Sequence, residues 1–249
     1  MITLHAFGDS FIVGDQDDFL HDVPTASHGM PWEERLEYLK TQVSFVSILA
    51  RHHGYNLKNY AERGSGNYPQ IDRVWINLIN GTIKEGDVVL FGITTTIRDR
   101  FLLNEVDRCT SDKNGPFMIE RTLLDRHSDR QRLLELDYFY ILSLLDQLSK
   151  KFKIRIVKFN LFDNSLDHAN PQITNVCQTD DFIGWNTPGN TLVDILNDSW
   201  GQGVFYTFAH EEITVPKGFE YLYTVKKHPS VEGHKKIANW WILNNILST

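Results

Sequence analysis

The chain has 249 residues, is 41% hydrophobic, and carries a formal net charge of -7 with a pI of about 5.8. That size fits one large α/β domain over 1-249 better than two smaller ones. The acidity, without any dense basic cluster, excludes a nucleic-acid footprint. No stretch approaches the ~20 apolar residues that span a bilayer, which excludes a transmembrane helix.

Ile2 to Phe7 is a short apolar run that predicts a buried first strand. It is too short for a secretory leader, so the protein is expected to be cytoplasmic, with carriage in a virus particle as the alternative. Residues 11–30 read as a loop rich in Asp, Gly and His. Pro31 then opens a helix with Glu33 and Glu34 in its first turn. Leu36, Leu39, Val43, Val46 and Ala50 make one apolar stripe, which Gly54 ends. Tyr55 to Ala61 predicts a second strand, and Glu62 to Asn67 a Gly-rich turn. Ile71, Val74, Leu78 and Ile79 mark a further helix. Val88 to Ile93 is apolar on both faces, as central parallel strands are.

Residues 94–128 lack periodicity and read as an excursion over the carboxyl edge of the sheet. Leu134, Tyr138, Ile141, Leu145 and Leu148 restore helical spacing, and Lys153 to Phe159 alternates into another strand. A second irregular stretch covers 161–220. The last helix starts near Ser230, a good N-cap, and runs through Ile237, Trp240 and Ile246. Strands alternating with helices predict a three-layer α/β/α sandwich with a mainly parallel sheet. Cys109 and Cys177 stand in unrelated contexts, which argues against a disulfide framework or a structural zinc.

Sites in such sheets form beyond the carboxyl ends of the strands. Those ends carry Gly8-Asp9-Ser10, Gly64-Ser65-Gly66-Asn67 and Gly92-Ile93-Thr94, and the loop before the last helix adds His228. A serine hydroxyl is a poor nucleophile until a base takes its proton, and an imidazole has the pKa for that. Ser10 and His228 are therefore the candidate nucleophile and base. The developing oxyanion needs preorganised donors. The candidates are the Ser10 N–H, a Gly64 or Gly66 N–H, the Asn67 amide and the Thr94 hydroxyl. Asp9 is expected to fix the turn through backbone amides. Arg98 and Arg100 are candidates to clamp an acidic or hydroxyl-rich substrate, set against a solvated loop. Trp32, Trp185 and Trp200 are candidates to stack on sugar rings, set against burial in the core. His5 and His234 read as structural, and His52 and His53 as complements to a helix end. No metal is implied, because no third ligand accompanies His228 and His234 at a diagnostic spacing.

These segments resemble the SGNH (GDSL-type) hydrolase family. Gly8-Asp9-Ser10 matches its first block, Asn59 to Asn67 its second, Gly92-Ile93-Thr94 the position of its third, and His228-Pro229 through Gly233-His234 its fifth. The resemblance implies a flavodoxin-like sandwich, a Ser10 nucleophile, Gly64 at the oxyanion position and no cofactor. It also implies a serine esterase or deacetylase acting on small acyl esters, with carbohydrate esters as the expected substrates. Two departures stand out. The family's third-block asparagine is Thr94 here. The acid usually found three residues before the histidine is Val225, which leaves a Ser–His dyad braced by a backbone carbonyl, or a carboxylate from elsewhere such as Asp180 or Asp181. The second reading is a module of this fold that binds carbohydrate or another ligand and turns over weakly. A third is acyl transfer to an alcohol in place of water.

Overall fold

The first apolar run is strand β1 (Thr3–Phe7) in the computed structural model, which describes residues 1–14, 30–63, 65–94, 130–161, 181–183, 191–198, 215, 217–224 and 228–248. One turn of helix, α1 (Ser10–Val13), follows it directly. Helices α2 (Trp32–Tyr38) and α3 (Phe45–His53) lead to β2 (Asn56–Asn59), and α4 (Asn67–Ile79) leads to β3 (Val88–Ile93). The long α5 (Arg130–Phe152) precedes β4 (Arg155–Asn160), and β5 (Phe182–Ile183) closes the sheet edge. Helices α6 (Leu192–Asn197) and α7 (Val231–Leu243) complete the described elements.

The sheet order is β2-β1-β3-β4-β5, and every pairing is parallel. Side chains alternate between its two faces. Leu4, Ala6, Leu90, Val157 and Phe159 pack with Phe45, Leu49, Ile237 and Trp241 of α3 and α7. Phe7, Val89, Phe91 and Ile156 pack with Ile71 and Val74 of α4 and with Ile141 and Leu145 of α5. β3 is buried along its whole length, as its continuous apolar run requires. The fold is the three-layer α/β/α sandwich that the strand–helix alternation predicts.

The stripe from Leu36 to Ala50 is not one helix. A π-helical turn (Leu39–Val43) follows α2, and the chain breaks at Ser44, whose ψ of 148° is extended. The Ser44 hydroxyl explains the break. It donates to the Lys40 carbonyl at 2.8 Å and accepts the Ser47 N–H at 3.3 Å, so it ends one helix and caps the next. On α4 the buried stripe is Asn67, Gln70, Ile71, Val74 and Leu78, while Ile79 is 61% exposed. The stretch 161–220, expected to be irregular, contains β5 and α6, and a 3-10 turn (Glu220–Leu222) begins at its end. α6 carries a capping box in which Thr191 Oγ1 accepts the Asp194 N–H at 3.1 Å and Asp194 Oδ2 accepts the Thr191 N–H at 3.2 Å. The stretch 94–128, apart from Thr94, lies outside the described residues.

Two polar pairs join β4 to α5: Tyr138 donates to Asn160 Oδ1 at 2.6 Å, and a lysine pairs with an aspartate. Lys158 of β4 is 3% exposed and makes an ion pair with Asp146 of α5. Asp146→Ala leaves that ammonium buried without its counter-charge. The expected loss is about 3 kcal/mol of stability, measured by denaturant unfolding. Lys158→Met combined with Asp146→Leu is expected to recover most of it.

Candidate active site

The chain leaves β1 to form β2 on one side and returns to form β3 on the other. The carboxyl ends of β1 and β3 therefore flank the switch point where ligands bind in open α/β sheets. Gly8 stands there with φ of +148°. A Cβ on it would lie 2.3 Å from Ile12 Cδ1 and 3.2 Å from the Gly92 carbonyl oxygen, so the turn requires glycine.

Asp9 is the N-cap of α1 and is fully buried. Its Oδ1 accepts the Phe11 N–H at 3.0 Å, and its backbone carbonyl accepts from Ile12 and Val13. Ser10 itself is 7% exposed, on the first position of α1. Asp9 Oδ2 accepts the Thr94 hydroxyl at 3.0 Å.

Asn67 binds both backbone polar groups of Thr94. Its Oδ1 accepts the Thr94 N–H at 2.9 Å, and its Nδ2 donates to the Thr94 carbonyl at 3.1 Å. Gln70, one helical turn on, accepts the Gly8 N–H at 3.3 Å and donates to Ser65 Oγ at 2.7 Å. Asn59 Nδ2 donates to the Ile12 carbonyl at 3.0 Å, and the Glu62 N–H donates to the Gly8 carbonyl at 3.0 Å. The turn that presents Ser10 is thus tied to the β2–α4 loop and to the end of β3.

His228 reaches the same turn from the opposite end of the sequence. Its ring meets the Phe11 ring edge-on, with centroids 5.5 Å apart. Phe11 is the residue after Ser10 on α1, so the imidazole packs against the helical turn that begins with Ser10. Thr224 holds the backbone of His228. The Thr224 N–H donates to the His228 carbonyl at 2.8 Å, and the His228 N–H donates to Thr224 Oγ1 at 3.1 Å. Two residues on, Ser230 caps α7 by accepting the Gly233 N–H at 3.1 Å and donates to the Tyr221 carbonyl at 2.7 Å.

His234 is structural, as expected, and fully buried. Its Nδ1 accepts the Phe45 N–H at 3.2 Å, which satisfies one of the donors exposed by the break at Ser44. Burial, and secondarily the neighbouring His228, push its pKa down to about 3. The folded value lies below the unfolded one of 6.5. The resulting stability is complete above pH ~6.5 and is lost as pH falls towards 3, because the unfolded chain takes up the proton first. Between pH 6.5 and 5 the protein is expected to lose about 2 kcal/mol more than His234→Gln, which keeps an acceptor for Phe45 but does not titrate. Chemical unfolding at a series of pH values measures the difference.

The structure brings Ser10, Asn67, Thr94 and the His228 ring to one edge of the sheet. Thr94, a candidate oxyanion donor, gives its hydroxyl to Asp9 and its N–H to Asn67. Asp181 corrects one expectation. Its carboxylate pairs with Arg155 at 2.8 Å, at the start of β4 and away from the carboxyl edge. Gly64, Arg98, Arg100, Asp180, Trp185, Trp200 and Val225 lie outside the described residues, as do both cysteines. Trp32 is 40% exposed, and the Arg63 guanidinium lies 5.3 Å from its ring centroid. Among the described residues, no His, Cys, Asp and Glu side chains are grouped to hold a metal ion, and no helix is long and apolar enough to cross a membrane. Sequence reasoning missed Gln70, although a polar side chain on an otherwise apolar helix stripe was a usable signal. From sequence Gly233 reads only as part of the last block, and its packing against Leu222 and Leu196 is not legible there.

No protein-family profile matches the chain, and no curated protein matches its sequence. Solved structures do. A member of the lipolytic protein G-D-S-L family from Veillonella parvula covers 98% of this chain with 97% of its own, at 12% identity and a TM-score of 0.45. An acetyl xylan esterase from Geobacillus stearothermophilus covers 98% with 94% of its own, at 13% identity and a TM-score of 0.46. LAE5, an alpha/beta hydrolase enzyme from the metagenome of Lake Arreo, covers 100% with 97% of its own, at 16% identity and a TM-score of 0.47. The fold rests on the strand order itself, 2-1-3-4-5 and all parallel. With Gly8-Asp9-Ser10 at the end of β1 and His228 before the last helix, the chain resembles the SGNH (GDSL-type) hydrolases.

Proposed function

We propose that the chain is a serine esterase or deacetylase that hydrolyses small acyl esters, with acylated carbohydrate as the substrate class, in a single domain over 1-249. One observation carries this reading: the His228 ring packs on Phe11, the residue after Ser10, at 5.5 Å. Ser10 Oγ attacks the ester carbonyl and its proton passes to His228 Nε2. The N–H groups of Ser10 and Gly64 are the proposed donors to the oxyanion. Collapse of the tetrahedral intermediate expels the alcohol, which takes the proton from His228. Water then repeats the sequence on the acyl-enzyme, which returns free acid and Ser10. The residues proposed to hold the substrate are Arg98, Arg100 and Trp185.

The second reading is a weakly catalytic module that binds carbohydrate. It is favoured by the bond that commits the Thr94 hydroxyl to Asp9. Hydrolysis of p-nitrophenyl acetate, butyrate and octanoate, with acetate release from acetylated xylan, separates the two. The esterase reading expects turnover falling with acyl length. Binding of xylan oligosaccharides without turnover favours the module.

A further inference from the structure

The commitments of Thr94 can be counted hydrogen by hydrogen. The residue has two polar hydrogens. Its N–H goes to Asn67 Oδ1 at 2.9 Å and its O–H to Asp9 Oδ2 at 3.0 Å. The residue is 1% exposed and Asp9 is 0% exposed, so both bonds lie inside the protein. Turning the hydroxyl towards a substrate oxygen would remove a donor from a buried carboxylate, which is costly. Asp9 in turn holds the Phe11 N–H at 3.0 Å, and that bond shapes the turn that presents Ser10. A carboxamide differs from a hydroxyl in one respect that matters here: its nitrogen has two hydrogens. One can bond to Asp9 while the other faces the crevice.

We propose that Thr94 is a positioning residue, acting on Ser10 through Asp9 and giving no hydrogen bond to the oxyanion. On this account an amide at position 94 adds a donor that the threonine there does not supply. The inference rests on the esterase reading above.

The test uses the full chain with Thr94→Val, Thr94→Ser, Thr94→Asn, Asp9→Asn and the Asp9→Asn/Thr94→Val double variant. It reads kcat and KM on p-nitrophenyl acetate, together with the rate of fluorophosphonate addition to Ser10. Thr94→Val is expected to lower kcat at unchanged KM, and Thr94→Ser to restore it. The double variant is expected to be no slower than the slower single variant, because both act through one bond. Thr94→Asn is expected to raise kcat by about tenfold or more, in line with the ~10²–10³ that one oxyanion donor supplies. Losses that multiply in the double variant, or a Thr94→Asn protein no faster than the native one, overturn the inference. If Thr94→Val does not fold, the comparison of Thr94→Asn with the native chain decides. A native chain that labels while Thr94→Asn gains nothing sinks this inference and leaves the esterase reading standing. Labelling in Thr94→Asn alone supports the inference and makes the native chain the weak module. No labelling in either sinks both.

Discussion

Ser10→Ala is expected to remove ester hydrolysis, with a fall in kcat on the order of 10⁴-fold or more. His228→Gln is expected to fall by a similar factor, and the double variant no further, because nucleophile and base act as a unit. Ser10→Ala removes one hydroxyl, so its thermal melting should be nearly unchanged, and His228→Gln gives up the ring contact with Phe11, so its activity is read well below its melting transition. The prediction rests on the proposed pairing of Ser10 with His228. Asp9 caps α1 and Ser10 opens it. Phe11 carries the His228 ring at 5.5 Å. Steady-state kinetics on p-nitrophenyl acetate supply the measurement. A loss in Ser10→Ala that is not matched in His228→Gln would assign the base to another group.

Gly233→Ala is expected to lower stability and activity together. A Cβ at this position would lie 2.3 Å from the Leu222 carbonyl oxygen and 3.2 Å from Leu196 Cδ2 and Pro229 Cβ. The closest of these is backbone, so the segment itself must move. That carbonyl accepts the Ser230 N–H at 2.8 Å, so the clash falls on the bond that ties the N-cap of α7 to Leu222. Overpacking of this kind costs about 1–3 kcal/mol. His228 lies two residues before Ser230, and a shift of about 1 Å at a reacting group can cost ~10²-fold in rate. The expected result is a lower melting temperature and a 10- to 100-fold lower kcat at unchanged KM, read well below the melting transition. A lower melting temperature with native kcat would show that Gly233 supports α7 without placing the base.

The long periodic and long apolar segments were legible from sequence. β3 runs from Val88 to Ile93 as its unbroken apolar run requires, and Ser230 caps α7 as its side chain predicts. The elements that were missed are those whose cause is not local. The break at Ser44 is stabilised in part by His234 of α7, which accepts the Phe45 N–H from 189 residues away. β5 has two residues and exists through its pairing with Lys158 and Phe159. α6 did carry a local signal, the Thr191–Asp194 capping box, masked by the irregular composition around it.

The site shows the same division. Gly8-Asp9-Ser10 and His228 announced themselves by residue type and place in the chain. The partners that hold them did not, because a glutamine such as Gln70 or a threonine such as Thr94 acquires its role only once a second strand end arrives beside it. The orientation of the Thr94 hydroxyl is the plainest example. Its residue type allows a bond to substrate, and the buried carboxylate beside it directs the bond elsewhere.

The central claim is that Ser10 is activated by His228, and peptide mapping after fluorophosphonate treatment tests it most directly. The expected result is one adduct per chain on the tryptic peptide that contains Ser10, forming at least 10²-fold more slowly in His228→Gln. An adduct on a different serine, or labelling of Ser10 at the same rate in His228→Gln, would contradict it.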